Sequence, residues 1–362
     1  MIKRLRTREI KIGDRIIGGG NPILVQSMTN TDTKDIQKTL RQIRDLIDED
    51  CEIVRIAVPD EASCKNIGVL KENVEIPIVA DIHFDYTLAL CAIKQGADKI
   101  RINPGNIGKK EYVRKICDRA KERGIPIRIG INSGSLEKDL LEKHGGPYPE
   151  ALVESALRNV EMFESFGFHE IVLSIKSASV LDTIEANRTL SQEIDYPIHL
   201  GITEAGIGLR GAIKSAVGLA PLLHMGIGDT VRVSLTGDPV EEVKIGYQIL
   251  RSLNLREQGV VIISCPTCGR MEIDLVPIVK IVEERVSKVK QNIKIAIMGC
   301  SVNGPGEAKM ADIGIAGGKG SGVIFQKGVI IDNVPESKLI DSFLSHLDKF
   351  LKKKREGRLD SE

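Results

Sequence analysis

A chain of 362 residues is longer than one ordinary domain and suits a large domain followed by a smaller one. Its 51 Lys+Arg against 50 Asp+Glu leave a formal charge of +1, and aromatics are only 3% with no Trp. Neither a global field for nucleic acid or an anionic membrane nor an aromatic platform for stacked bases is available. The basic start Met1-Ile-Lys-Arg-Leu-Arg6 lacks an apolar h-region, and no apolar run reaches the roughly 18 residues of a membrane span. The expectation is a cytoplasmic protein with no nucleic acid and no membrane among its partners.

From residue 23 to residue 254, short β-branched segments recur, each followed by a stretch of helical periodicity. The pattern predicts strands over residues 23–28, 51–58, 76–82, 99–103, 125–131, 170–176, 198–203 and 229–235. Helices are expected over residues 34–47, 86–94, 110–123, 149–166, 207–219 and 240–252. Eight such β/α units fit a TIM (β/α)8 barrel better than an open doubly wound sheet, because no Gly-x-Gly-x-x-Gly follows the first strand. The polar break Leu255-Arg-Glu-Gln-Gly259 separates this first domain, 1–254, from a smaller α+β domain, 255–362. There the expected order is strand 260–264, helix 274–289, strand 293–298, a hairpin around residues 317–322 and a helix over 336–352. The run Gly317-Gly-Lys-Gly-Ser-Gly322 imitates a phosphate loop, but strands flank it on both sides and a hairpin turn is the simpler reading.

Parallel strands covered by helices are usually apolar throughout, yet these alternate. In Ile125-Pro-Ile-Arg-Ile-Gly-Ile131 the isoleucines hold one parity and Arg128 the other. Period 2 then sends Arg55, Arg101, Asn103, Arg128, Asn132, Ser174, Lys176, Arg232 and Ser234 into the barrel, with Asp81 and His83 beside them. Arg55, Arg101, Arg128, Lys176 and Arg232 converging on one lumen demand an anion, because buried unpaired charge is strongly unfavourable. Asp81 and Glu204 are too few to neutralise them internally. Several planar guanidinium forks suit a diphosphate better than a single carboxylate.

Of the seven cysteines, Cys51, Cys64, Cys91 and Cys117 stand singly in predicted elements and read as ordinary buried thiols. Cys265-Pro-Thr-Cys268 and Cys300-Ser-Val-Asn-Gly-Pro-Gly-Glu307 differ: each follows a predicted strand, and together they offer three thiolates and a carboxylate. Iron-sulfur chemistry fits this set best and zinc remains the alternative, with Glu307 as the weak ligand that leaves one metal position open. His144, His169, His199, His224 and His346 lack metal spacing and read as ordinary polar or core residues.

The segments Val25-Gln-Ser-Met-Thr-Asn30, Val79-Ala-Asp-Ile-His83, Arg101-Ile-Asn-Pro-Gly-Asn106, Gly130-Ile-Asn-Ser-Gly134, Gly201-Ile-Thr-Glu-Ala-Gly206, Cys265-Pro-Thr-Cys-Gly-Arg270 and Met298-Gly-Cys-Ser-Val-Asn-Gly-Pro-Gly-Glu307 resemble the 4-hydroxy-3-methylbut-2-en-1-yl diphosphate synthase family, over both domains. The short linker matches that family's compact two-domain form. The resemblance implies reductive ring opening and dehydration of 2-C-methyl-D-erythritol 2,4-cyclodiphosphate in the non-mevalonate isoprenoid pathway. It implies a 4Fe-4S cluster on Cys265, Cys268, Cys300 and Glu307, fed one electron at a time by flavodoxin or ferredoxin. Arg55, Arg101, Asn103, Arg128, Lys176, Arg232 and Ser234 would bind the diphosphate. Glu204 would be the proton donor, with Asp81, His83 and Asn132 as polar partners. Competing readings are a non-redox iron-sulfur hydro-lyase on a diphosphate substrate and a redox-sensing protein that binds a phosphometabolite. Helix 240–252 should return the chain to the barrel's bottom face, while substrate enters at the top. A linker of about five residues reaches at most about 18 Å, so a head-to-tail homodimer is expected, each cluster domain serving the partner's barrel.

Overall fold

The computed structural model describes residues 2–257, 259–300, 306 and 309–356, and the chain divides into two compact units, residues 1–256 and 257–362. In the first unit a hairpin, β1 (Ile10–Ile12) and β2 (Arg15–Ile17), precedes eight strands: β3 (Leu24–Met28), β4 (Ile53–Ala57), β5 (Ile78–Asp81), β6 (Lys99–Ile102), β7 (Ile127–Asn132), β8 (Ile171–Lys176), β9 (His199–Leu200) and β10 (Thr230–Val231). All pair in parallel in the order β8-β7-β6-β5-β4-β3-β10-β9, and a parallel bridge from Leu173 to Ile198 joins the two ends. The result is the expected TIM barrel.

Around it run α1 (Ile36–Asp48), α2 (Glu61–Asn73), α3 (Tyr86–Lys94), the short α4 (Pro104–Ile107), α5 (Lys110–Arg123), α6 (Lys138–His144), α7 (Pro149–Ser165), α8 (Val180–Glu193), α9 (Gly208–His224) and α10 (Pro239–Ser252). Asp35, Asp60, Asp85, Ser179 and Asp238 start five of these helices by accepting a first-turn backbone N–H, which satisfies a donor the helix itself cannot. The apolar set predicted to face the helices, including Ile56, Ile100, Ile127, Ile129 and Leu173, is buried with Ile43, Ile67, Ile116 and Phe163 in one core.

The β1–β2 hairpin was not foreseen. Its Ile10, Ile12 and Ile17 bury against Leu24, Ile53, Val79 and Val172, the first inward residues of four strands, and so plug the floor of the barrel. Two cysteines also depart from expectation. Cys64 on α2 and Cys91 on α3 form a disulfide, because neighbouring helices bring their Cα atoms to 6.3 Å, within bridging distance. Cys51 and Cys117 are free and buried, and burial pushes both thiols up to about 12.

The second unit is α+β. Strands β11 (Val260–Ser264), β12 (Ile293–Met298), β13 (Ile313–Gly318), β14 (Ser321–Gln326) and β15 (Val329–Pro335) form one sheet in sequence order, parallel for the first three and antiparallel thereafter. Helices α11 (Leu275–Val286) and α12 (Leu339–Arg355) supply Val282, Phe343 and Leu347 to its core. The glycine-rich run is a hairpin turn: Gly318 pairs with Ser321, and Gly320 takes φ +69°. No helix among the described residues is long and apolar enough to cross a membrane.

Candidate functional site

The barrel's interior is stratified. Above the apolar floor lies a layer of Gln26, Lys99, Arg128, His199 and Thr230, and above that, toward the C-terminal strand ends, lie Arg55, Asp81, Arg101 and Lys176. Every member of the deeper layer is at most 1% exposed. Asp81, at 4% exposure, organises the upper layer: its carboxylate lies 3.2 Å from Arg101 Nη1, 3.9 Å from Arg55 Nε and 3.3 Å from His83 Nε2. Burial opposes its ionisation, but Arg55, the His83 hydrogen bond and Arg101 together outweigh burial and hold the carboxyl well below the usual range. Burial conversely pushes Arg55 down to about 10, partly offset by Asp81.

Two glycines make room for this cation layer. A Cβ on Gly130 would lie 2.6 Å from Arg101 Nε, and one on Gly201 would lie 2.4 Å from Lys176 Nζ. Both side chains therefore cross the lumen over strand positions that lack a side chain.

The deeper layer has donors in excess. Lys99 Nζ, Arg128 Nε and Gln26 Nε2 are buried without a hydrogen-bond partner among the described residues, although Arg128 Nη1 reaches Gln26 Oε1 at 3.5 Å. His199 Nδ1 pairs with Thr230 Oγ1 at 2.8 Å, and its Nε2 lies 3.4 Å from Lys176 Nζ. Burial first, then the repulsion of Arg128, holds Lys99, Lys176 and His199 well below their ordinary values. Burial, and after it Arg55 and Arg101, lower Arg128 likewise. Such a lumen is made to receive negative charge.

Most of the sequence-derived site is brought together here: Asp81, Arg101, Asn103, Arg128, Ser174 and Lys176 are buried, Arg55 nearly so, and Asn132 and Ser234 are half-buried. Asn103 also has a local task, its Oδ1 capping α4 at Gly105 N and its Nδ2 donating to Ser135 Oγ. His83 is half-exposed at the rim. Glu204 is not an internal counter-charge: it is exposed on the loop after β9, with φ +53°, a conformation uncommon for a residue bearing a Cβ. The second internal carboxylate is Glu242 of α10, which takes Arg232 Nε and Nη2 at 3.2 and 3.1 Å. Sequence reasoning missed Glu242, Lys99, Gln26 and His199. Lys99 shares the parity of Arg101 and could have been found from it.

In the second unit Cys265 and Cys300 are half-buried and Cys268 is exposed, all as free thiols. They lie on loops that leave the adjacent parallel strands β11 and β12, and Gly299 N–H donates to Cys265 Sγ at 3.2 Å, which links the two loops. The Arg270 backbone N–H lowers the Cys268 thiol toward thiolate. Among the described residues no three His, Cys, Asp or Glu side chains form a ready metal cage. Glu307 lies outside the described residues. Soft thiols on two hydrogen-bonded loops are nevertheless the donor chemistry an iron-sulfur group takes.

The fold and the site define a TIM barrel with a base-rich lumen, joined to an α+β unit that carries three free cysteines. Family models described as the GcpE TIM-barrel domain and the GcpE protein C-terminal domain match residues 7–247 and 261–349. The chain belongs to the GcpE family. A relative from Caldanaerobacter subterraneus subsp. tengcongensis, named 4-hydroxy-3-methylbut-2-en-1-yl diphosphate synthase (flavodoxin), is 59% identical over 97% of this chain and 99% of its own. A relative of the same name from Clostridium tetani is 57% identical over 95% and 99%. Among solved structures, dihydropteroate synthase from Stenotrophomonas maltophilia superposes on 68% of this chain and 98% of its own, with TM-score 0.50 and 13% identity, a likeness of fold alone.

Lys99→Met should stabilise the protein by about 1–3 kcal/mol at neutral pH, by removing a buried amine that has no acceptor among the described residues. Because the folded-state Lys99 titrates below its ordinary 10.5, the unfolded chain binds more protons and the penalty grows as pH falls below that value. The gain in urea unfolding should thus be larger near pH 7 than near pH 9.5; a pH-independent gain would contradict a displaced Lys99. Gly130→Ala should shift Arg101 and weaken pyrophosphate binding about tenfold in calorimetry, with native affinity as the contrary outcome.

Proposed function

We propose that the chain catalyses reductive ring opening and dehydration of 2-C-methyl-D-erythritol 2,4-cyclodiphosphate to 4-hydroxy-3-methylbut-2-enyl diphosphate. The observation that carries this reading is the surplus of buried bases over carboxylates in the lumen, beside free cysteines in the second unit of a family whose relatives bear that name. A cyclic diphosphate supplies the missing negative charge.

Arg55, Arg101, Arg128, Lys176 and Arg232, with Asn103 and Ser234, bind and orient the diphosphate. Asp81 keeps Arg55 and Arg101 parted at a fixed spacing, so their forks are preorganised before substrate arrives. His83 and Asn132 stand at the rim as hydrogen-bonding partners for the hydroxyls of the carbon skeleton. Glu204, exposed on the loop after β9, delivers a proton to the hydroxyl that leaves as water. Cys265, Cys268, Cys300 and Glu307 would hold a 4Fe-4S cluster. When bound, that group supplies the two electrons singly and a Lewis-acidic iron. Flavodoxin, which is part of the relatives' enzyme name, is the electron donor we assign.

A head-to-tail homodimer suits the linker. At the end of the first unit Arg256 is pinned to Ile23 O and Glu52, both preceding their strands, so the linker departs from the barrel's closed end. Substrate enters TIM barrels at the opposite end. Mixed dimers of Cys300→Ser and Arg128→Ala subunits should recover part of the activity of unaltered dimers, and verified heterodimers without recovery would rule out a site shared between subunits.

Anaerobic purification should yield iron and sulfide in about equal amounts, as a cubane cluster requires, and turnover of the cyclic diphosphate should depend on reduced flavodoxin. Zinc without sulfide would sink the reading. Turnover independent of reductant would identify a hydro-lyase instead, and tight binding without multiple turnover would identify a sensor.

A further inference from the structure

Among the lumen bases, Arg232 is held in a different way. Asp81 is shared between Arg55, Arg101 and His83, whereas Glu242 contacts Arg232 alone among the bases. Glu242 lies in the first turn of α10 and is 3% exposed. Its Oε2 accepts Arg232 Nε at 3.2 Å and the Ser27 hydroxyl at 2.9 Å; its Oε1 accepts Arg232 Nη2 at 3.1 Å and the Leu235 N–H at 3.0 Å. Four donors thus fix one carboxylate from β3, from Arg232 and from the segment after β10. A carboxylate tied in that way has one rotamer left, and a two-point fork fixes the plane of the guanidinium it holds. The fork uses Nε and Nη2 and leaves Nη1 outside the pair.

A buried acid beside an anion site can act in two opposite ways. As a bare counter-charge it lowers the positive potential and weakens anion binding. As a clamp it spends the potential of one edge of the arginine to hold the other edge in place. The Ser27 and Leu235 contacts favour the clamp, because neutralisation alone needs no second pair of donors to immobilise the acid.

We propose that Glu242 is a positioning residue for the diphosphate: it fixes the plane in which Arg232 offers its remaining N–H groups, and it ties that plane to β3 and to the segment after β10. The assignment rests on the reading of the lumen as a diphosphate site. Glu242 touches no substrate atom on this account and acts through Arg232.

Inorganic pyrophosphate binding, measured by calorimetry on the full-length protein, tests this. Glu242→Gln sets an N–H against the N–H or O–H donors that an oxygen now accepts. It should raise the pyrophosphate Kd about tenfold. Glu242→Asp keeps the charge but is one methylene shorter, so it should lose less affinity while retaining the native melting temperature. In an Arg232→Met background Glu242→Gln should cause no further loss, since a residue acting through Arg232 has nothing left to position. In turnover of the cyclic diphosphate, KM should rise in Glu242→Gln while kcat stays near its original value. Unchanged or tighter pyrophosphate binding by folded Glu242→Gln would identify a simple counter-charge and overturn the assignment. The same tenfold loss on top of Arg232→Met would overturn it too. Failure of the unaltered protein to bind pyrophosphate would instead remove the diphosphate reading, and the positioning role with it.

Discussion

The ion pair on which the barrel's interior depends is the one Asp81 makes with Arg55 and Arg101. Charges of one sign, projected inward from neighbouring strands, would repel at close range in a medium that screens poorly. One carboxylate between two guanidiniums turns that repulsion into a fixed geometry. The pairing is incomplete by design of the sequence: Arg128, Lys99 and Lys176 have no acid in contact among the described residues. Neutralising every base would have left no affinity for an anion. Neutralising none would have made the empty lumen costly to fold, because each buried unpaired group sacrifices hydration with no return.

Two structural arrangements support this charged layer. The floor formed by Ile10, Ile12 and Ile17 against Leu24, Ile53, Val79 and Val172 closes the barrel's lower end with apolar side chains. Gly130 and Gly201 then clear the two positions over which Arg101 and Lys176 extend. A larger residue at Gly130 would meet the Arg101 side chain first, whereas one at Gly201 would meet both Lys176 Nζ and, at 2.8 Å, the backbone oxygen of Arg232. Binding geometry and fold stability are thus separable at Gly130 but coupled at Gly201.

Much of this is legible in the chain because parallel strands usually lack alternation. Arg128 between Ile127 and Ile129, or Arg55 between Val54 and Ile56, is visible as a base on the face opposite the helices. What escaped reading has physical reasons. Lys99 opens its strand, so no preceding apolar neighbour marks its face and its shared parity with Arg101 is the one signal for it. Glu242 lies on a helix, where periodicity predicts which face is buried but not that a first-turn carboxylate reaches a strand-end arginine. The β1–β2 hairpin is too short for a periodic signal, and its isoleucines acquire meaning only from the strands they cover. The Cys64–Cys91 link joins two separate helices, a contact that no spacing in the chain announces. For the open cluster ligand the limit is different, since Glu307 lies outside the described residues and its role stands on the motif.

A deficit of carboxylates has a thermodynamic consequence that follows from linkage alone. Any ligand that binds the folded state and not the unfolded chain adds RT ln(1 + [L]/Kd) to stability, about 2.7 kcal/mol at a hundredfold excess over Kd. In an ordinary site that term comes from contacts made. Here part of it is repulsion relieved among Arg55, Arg128, Lys99 and Lys176, groups whose charged forms are disfavoured in the empty barrel. An anion that favours the charged forms raises the Lys99 and Lys176 values toward the ordinary lysine range, so its binding is linked to proton uptake wherever those amines are partly deprotonated, while the guanidiniums stay protonated and act through charge alone. The sign is set: acidification favours the charged bases and therefore the bound state, until the anion itself is protonated. Asp81 pulls the other way, because its carboxyl stays ionised far into acid and keeps Arg55 and Arg101 partly satisfied without ligand. Asp81 and Glu242 together offset part of the lumen's positive charge and leave Arg128, Lys99 and Lys176 with no acid in contact among the described residues, which is the surplus on which any linkage to an anion would act.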